Sequence, residues 1–533
     1  MDVDRIGEDK ALSPCLTNIL EGRMIRPFIG KKFIYGLIVA LTFVGIIFGV
    51  RSTQVVSAEA NISMGILSEG VGTEPQIQNL DNFAYLPMVT SWYPWELPFG
   101  VESERLLLPG SIILDRVEAL NGQWVRLNDR ISWRSLQPFE SDAVQWGLLS
   151  SFETELVALK SAGKTPIVVI DDYPRWATDD SVREDGQPTS CGPLLPEKVS
   201  AFANFTKSVV ARYKTPEYNV HHWELGNEPD LDPNLVVLDN VFGCWGDIND
   251  PYYGGGRYGE MLKVVGEAIK KEDPTATVWI GGLLLANPNT NNPSLGKPEL
   301  FLKGILESGA APYFDIVPYH WYPPYLNQKI DHDNQLPGNQ WTSLGGGIIG
   351  KANYLRQIMA QYGVSKPLFL NETSLMCPPK ISGVDTNWCD PPGADFFQMQ
   401  ADYLVRMFVR GLSVNLMGFI WYTVNGPGWN SVGLLDQDGN PRPAYFAFQH
   451  LNQRIQNSHF NGSRNYNDKV EAYTFDNGNQ EIIVAWAKQD EVLSISFPGF
   501  NISQVYDRDG NVIIPVNNSI DVGFSPVYVI LNP

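Results

Sequence analysis

Short runs of β-branched and apolar residues alternate along most of the chain with longer amphipathic stretches. The runs are "PFGV" (98–101), "WVRLN" (124–128), "TPIVVID" (165–171), "HHWELGNE" (221–228), "ATVWIGG" (276–282), "FDIVPYHWY" (314–322), "KPLFLNET" (366–373) and "LMGFIWYT" (416–423). Between them lie helix candidates at 142–162, 195–213, 255–271, 345–363 and 394–412. "SSFETELVALKSAGK" carries the apolar spacing of one helix face, and Gly163 stops it. Strand–helix units repeated eight times predict an α/β fold, the (β/α)8 TIM barrel, over residues 96–457. A doubly wound open sheet is the alternative. It wants a Gly-rich turn after its first strand, and "PFGVESERLL" has none.

The period changes near residue 458. "KVEAYTFDNG", "QEIIVAWAK", "VLSISFPG", "SQVYDRDG", "NVIIPV" and "PVYVILNP" are short alternating runs with Asn-Gly and Asp-Gly turn signals. They predict a small β-sandwich appended at 458–533. The other end is different again. Phe33 to Val50 is apolar and uncharged, Arg23, Arg26, Lys31 and Lys32 precede it, and small residues at Ala58 and Ala60 suit a signal-peptidase site. The reading for 1–60 is a cytoplasmic n-region followed by a cleaved signal peptide or a retained membrane anchor. Both place the remainder outside the cytoplasm, secreted or held at the cell surface. Residues 61–95 read as a linker.

With 533 residues, 44% of them hydrophobic, the chain can bury a large core. The formal net charge of -20 and the lack of a basic run exclude a nucleic-acid binder. The 15 Trp and 22 Tyr fit either a large core or a sugar-binding cleft. Four cysteines follow the apolar segment, Cys191, Cys244, Cys377 and Cys389. An even number in an exported chain points to two disulfides.

Barrel chemistry sits at the C-terminal ends of strands. The fourth run ends in Asn227 and Glu228 and the seventh in Asn371 and Glu372. The sixth ends in His320 and Tyr322, the second carries Arg126, and the eighth ends in Trp421. Two carboxylates facing one another across a barrel mouth suit glycoside hydrolysis, in which one acts as acid/base and the other as nucleophile. Their environments must hold one protonated and the other ionised.

"GNEP" after the fourth strand and "LNET" after the seventh resemble the clan A retaining (β/α)8 glycoside hydrolases. "WVRLNDRISWRSLQP", "YPRWA" (173–177) and "GLLDQDGNPRPAYFAF" are similar to glycoside hydrolase family 39 and its relatives. The resemblance spans roughly residues 95–455. It implies that Glu228 is the acid/base and Glu372 the nucleophile, and that Asn227 bonds the sugar 2-hydroxyl. Arg126 would keep Glu372 ionised, with His320 and Tyr322 beside the pair. Trp421 is the first choice for a sugar platform and Trp176 the second; Trp321 and Trp429 are platforms or packing. His221 and His222, early in strand four, read as structural. "DHDN" (331–334) reads as a solvated loop in preference to a cation site. The strand positions put Cys191 and Cys244 in successive loops and Cys377 and Cys389 in one, so the expected pairs are Cys191–Cys244 and Cys377–Cys389.

The expected activity is hydrolysis of β-linked oligo- or polysaccharides with no metal and no other cofactor. Membrane contact would come only through the N-terminal segment. The rivals are an inactive carbohydrate-binding or adhesion protein on the same barrel, and a transglycosylase using the same residues.

Overall fold

The computed structural model describes residues 98–532 apart from 180, 182, 184–188, 236–242, 287, 289–295, 379–388 and 390. The leader at 1–60 and the linker at 61–95 lie outside the described residues. Among the described residues no helix is long and apolar enough to cross a membrane.

Eight parallel strands form a nearly closed barrel: β1 (Phe99–Ser103), β2 (Trp124–Leu127), β3 (Thr165–Asp171), β4 (His222–Asn227), β5 (Thr277–Gly282), β6 (Val317–Trp321), β7 (Leu368–Thr373) and β8 (Gly418–Tyr422). Each begins and ends within a few residues of an apolar run read from the sequence. β1 pairs with both β2 and β8, so the sheet curls back on itself. β5 and β6 meet through the single bridges Trp279–Ile316 and Leu283–Tyr319. Around the strands lie the longer helices α1 (Ile112–Ala119), α2 (Ser150–Ser161), α3 (Val199–Tyr213), α4 (Gly255–Glu272), α5 (Phe301–Glu307), α6 (Gly346–Gln361), α7 (Ala394–Ser413) and α8 (Pro443–Ile455).

Strand residues alternate between two cores. Trp124, Ile167, Trp279, Ile316, Phe369 and Ile420 fill the barrel interior. Their neighbours Val125, Val168, Val278, Val317, Leu370, Phe419 and Trp421 face the helices and belong to the main core. This parity turns Arg126, Glu224, His320 and Tyr422 toward the mouth, whereas Glu372 shares the parity of Leu370 and reaches it through a register shift on β7.

Beyond α8 the chain forms an antiparallel six-stranded sheet from β9 (His459–Ser463), β10 (Val470–Asp476), β11 (Glu481–Ala487), β13 (Asn501–Asp507), β14 (Val512–Ile513) and β16 (Val527–Asn532). β12 (Leu493–Ser496) pairs separately with β15 (Ser519–Val522). One face of the larger sheet shares the main core with the barrel helices through Tyr473, Trp486 and Tyr528. The other face forms its own core with Ile495, Phe497, Ile520 and Val522. α7 is therefore sandwiched between barrel and sheet. It is buried around most of its circumference, and the side toward the C-terminal segment buries the charged residues Asp402, Arg406 and Arg410 against partners there.

Both expected disulfides are present. Cys191–Cys244 joins the loops after β3 and β4, and Cys377–Cys389 closes the loop after β7.

"DHDN" is not a solvated loop. Asp331, His332 and Asp333 are all buried. Arg410 of α7 reaches Asp331 and Asp333, and the backbone amides of Gly347 and Ile348 at the start of α6 donate to Asp333. The charges are buried because a cation on a distant helix and a helix N-terminus meet them.

Candidate active site

Arg126 is the hub of the barrel mouth. Even parity along β2 turns it inward, two residues above Trp124, and it is 1% exposed. Its guanidinium donates to Glu102 of β1 (2.8 Å), to both oxygens of Glu224 of β4 (2.8 and 3.0 Å), to the side-chain oxygen of Asn227 (2.6 Å) and to Glu372 of β7. Burial alone would lower its pKa, but Glu224, Glu102 and Glu372 outweigh that and raise it well above the usual value. One fixed cation thus gathers carboxylates from three other strands.

Glu372 has a second partner, the Tyr322 hydroxyl, which donates to Oε2 at 2.6 Å. Burial and the Glu372 charge raise the Tyr322 pKa well above its ordinary value, so the phenol stays a donor. Glu228 follows β4 directly, with φ 48 in the left-handed region, rare for a residue with a side chain. Its amide bonds the Gly282 carbonyl at the end of β5 (2.9 Å). Its Oε1 meets His320 Nδ1 at 2.9 Å, and the same nitrogen lies 3.7 Å from Glu372 Oε2. Burial opposes a proton on His320, yet Glu372 and the Glu228 contact raise its pKa above the ordinary value. Gly282 is needed here, since a Cβ would lie 2.1 Å from His320 Nε2 and 2.7 Å from Asn371 Oδ1.

Ligand atoms of Glu228, His320 and Glu372 all lie within 4.8 Å of one another, a spacing that would also suit a metal ion. The Arg126 guanidinium on Glu372 sets a fixed positive charge beside that spot and opposes a cation there. What the arrangement offers is two carboxyl groups close enough to act on one small group, one held by Arg126 and Tyr322 and the other by His320.

Asn227, Glu228, Arg126, His320, Tyr322 and Glu372 are therefore brought together. The two tryptophans first chosen as platforms are not among them. Trp421 is fully buried on the helix side of β8, its indole N–H donating to the Val432 carbonyl (3.0 Å). Ile420 points into the barrel, so parity sends Trp421 outward and Tyr422 to the mouth. Tyr422 packs with Tyr322 and Trp429 there, and its hydroxyl donates to Glu104 beyond β1. Trp176 lies on the outer side, edge-on to Trp133 at 4.9 Å with Lys198 over its ring. Trp321 also faces outward, into the main core. His221 and His222 are structural as expected: His221 pairs with Asp273, and His222 is buried against Trp124 with its pKa pushed down to about 3 by burial.

Two site residues escaped the sequence reading. Glu102 and Glu224 are fully buried partners of Arg126. Asn371 is buried and donates to Glu224 (2.9 Å). The available signal was a Glu at inward parity within an apolar strand, "FGVES" and "HHWELGNE".

No protein-family model and no curated protein matches the chain. Solved structures do. A family 39 glycoside hydrolase from the gut symbiont Bacteroides cellulosilyticus superposes with a TM-score of 0.59 at 18% identity, over 82% of this chain and 81% of that one. A GH30 endoxylanase from Clostridium papyrosolvens gives 0.54 at 13% identity, over 82% and 96%. A monomeric beta-xylosidase from Caulobacter crescentus gives 0.52 at 17% identity, over 82% and 96%. At such identities the likeness establishes the fold, the barrel of these glycoside hydrolases.

Proposed function

We propose that the protein is a glycoside hydrolase that cleaves β-linked glycans with retention of configuration. The observation that carries this is the pair Glu228 and Glu372, from opposite sides of the barrel mouth, with side-chain oxygens within 4.8 Å. Retaining enzymes hold their carboxyl groups about 5–5.5 Å apart and inverting ones about 6.5–9.5 Å, leaving room for a water. The spacing supports the first.

In the first step a Glu372 oxygen attacks the anomeric carbon as the glycosidic C–O bond breaks, and Glu228 gives its proton to the leaving oxygen. This forms a glycosyl ester on Glu372. In the second step Glu228 takes a proton from water, whose oxygen attacks the anomeric carbon and releases Glu372. Arg126 and Tyr322 stabilise the departing carboxylate. His320 orients Glu228. Asn227, held by Arg126, offers its amide to the sugar. Tyr422 and Trp429 pack edge-on against Tyr322, beside the pair.

Export fits the two disulfides and the leader read at 1–60. We assign catalysis to 96–457 and an accessory role to 458–533. The shared core of the two sheets in that segment supports a small sandwich.

The test is a reducing-end assay of the protein from residue 61 onward on a panel of β-linked polysaccharides and aryl glycosides. Xylan and β-xylosides belong in it because an endoxylanase and a beta-xylosidase share the fold. Activity on one substrate, lost in Glu372→Ala, is expected. Glu228→Gln should slow glycosides with poor leaving groups far more than activated ones. A folded protein silent across the panel, yet binding one of the glycans, would replace this reading with the binding-protein one.

A further inference from the structure

Behind the His320–Glu228 contact lies a buried lysine. Lys351, in the second turn of α6, is 2% exposed. Its ammonium donates to the carbonyl of Leu284, just past β5, and to the carbonyl of His320 itself, each at 2.7 Å. The Trp321 and Trp341 rings flank it at 5.0 and 5.7 Å. On the other side of the same segment lies Asp230, fully buried and two residues after Glu228. It accepts from the amides of Leu284 (2.9 Å) and Leu285 (2.7 Å). The Leu284–Leu285 peptide is thus gripped through its carbonyl by a lysine and through its amides by an aspartate.

We propose that Lys351 and Asp230 form a charged clamp that positions His320 against Glu228, Lys351 being a positioning residue for the proposed hydrolysis. Three strand ends meet in this clamp: β4 through Asp230, β5 through Leu284 and β6 through the His320 carbonyl. A two-bond anchor on that carbonyl and its neighbour fixes the peptide from which the imidazole projects. The helix that carries Lys351 is itself pressed onto β6, since a Cβ on Gly347 would lie 2.1 Å from the Trp321 ring. A neutral side chain of equal length would fill the volume and take the lysine donor away from both carbonyls.

The electrostatics favour the same view. Burial lowers the Lys351 pKa to about 7, with Asp230, Glu228 and Asp333 opposing the fall. Burial raises that of Asp230 to about 6, with the Leu285 and Leu284 amides, then Lys351, working against it and Glu228 adding to it. At neutral pH Asp230 is mostly charged and Lys351 about half so, and the amine donates to both carbonyls with or without its third proton.

The strength of the clamp is readable without any glycoside. The Nδ1 proton of His320, buried between the ring and Glu228, gives a slowly exchanging proton resonance coupled to 15N in histidine-labelled protein, identified by its loss in His320→Asn. Lys351→Met should lose that resonance while the protein stays folded by circular dichroism. If hydrolysis is established, the same variant should lose roughly tenfold or more in kcat on poor leaving groups, with activated aryl glycosides and KM changed little, because only the acid step is misaligned. Asp230→Asn should move both readouts in the same direction by less, and it decides the matter if Lys351→Met does not fold. A resonance and a leaving-group ratio unchanged from wild type in both variants, even with reduced melting temperatures, would overturn the clamp. Absence of all hydrolysis in the wild type would count against the glycosidase reading alone, and the resonance would still decide this one.

Discussion

Two arginines in this molecule are buried to the same degree and each meets three carboxylates, but they do different things. Arg126, in the barrel mouth, holds Glu102, Glu224 and Glu372. Arg410, on α7, holds Asp331, Asp333 and Glu471 of β10. Both are 1% exposed, and in both the carboxylates outweigh burial and raise the guanidinium pKa. Composition and burial do not separate them. The partners of the carboxylates do. Asp333 takes amides from α6, Asp331 takes amides from its own loop, and Glu471 takes the Tyr473 hydroxyl beside it on the strand. Much of this second cluster is fastened to main chain, and it welds the loop after β6 to α7 and the C-terminal sheet. In the mouth, Glu372 and Glu228 are met by the side chains Arg126, Tyr322 and His320 from other strands. Such carboxylates can exchange protons and partners without moving backbone. A buried arginine with acids around it is therefore no mark of catalysis unless the acids stand at strand ends and are held by groups that can let go.

The comparison breaks most visibly at the arginines themselves. Arg126→Met strands three buried carboxylates, which should cost about 3–5 kcal/mol of stability. The folded fraction should also lose roughly 10²-fold or more in kcat, since Glu372 loses its fixed counter-charge. Arg410→Met should cost a similar ~3–5 kcal/mol yet leave kcat per folded molecule within about threefold. Denaturation midpoints paired with active-site-normalised rates measure both. If Arg410→Met slowed the folded enzyme as far as Arg126→Met does, the two clusters would be one functional unit and the distinction drawn here would fall.

The two clusters also differ in how much the sequence disclosed. The mouth was legible because a barrel delivers strand ends to one place, so runs such as "HHWELGNE" and "KPLFLNET" reveal their terminal glutamates without any tertiary knowledge. Glu102 and Glu224 were missed because a charge inside an apolar strand carries no label saying which partner neutralises it. The Arg410 cluster joins residues 331, 410 and 471, and nothing local marks them as neighbours; "DHDN" alone reads as a polar loop. Lys351 looks like any lysine on a helix surface. β8 defeated the reading differently. "LMGFIWYT" is apolar throughout, so its pattern does not tell inward from outward, and from sequence Trp421 reads as the mouth residue where the structure has Tyr422.

Histidines sharpen the contrast at the next level. His332, in the Arg410 cluster, is pushed down to about 4, chiefly by burial, while His320 in the mouth is raised by Glu372 and Glu228. The signs are opposite. The unfolded chain binds a proton at His332 near the ordinary histidine value and the folded one does not, so this group costs stability as pH falls from about 6.5 toward 4, roughly 2 kcal/mol by pH 5. His320 does the reverse: its contribution is fully present below about 6.5 and is lost as pH rises through its raised folded value. His332→Gln should flatten the acid side of the stability–pH curve, and His320→Gln the side above neutrality. Urea midpoints from pH 4.5 to 9 would show it. If both variants flattened the same side, the two environments would not be opposed.

The smallest effect tests parity on β8, on which the mouth's aromatic wall depends. Trp421 fills space between the strand and α7, near Tyr403, and bonds the Val432 carbonyl. Trp421→Phe should therefore cost about 1–3 kcal/mol from lost volume and an unmet carbonyl, with kcat and KM close to wild type. Tyr422→Phe keeps the ring beside Tyr322 and removes only the hydroxyl donated to Glu104. It should cost about 1 kcal/mol or less in stability. Its effect should appear in KM, raised roughly threefold to tenfold, because Glu104 is freed to shift at the rim where the sugar must sit. The two substitutions lie on adjacent residues and each removes one hydrogen-bond donor, so a general loosening of the strand would move KM in both. A KM effect confined to Tyr422→Phe requires that the two side chains point to opposite faces of the barrel wall. The reverse result, with Trp421→Phe raising KM and Tyr422→Phe silent, would put the indole back in the mouth and shift the strand by one residue.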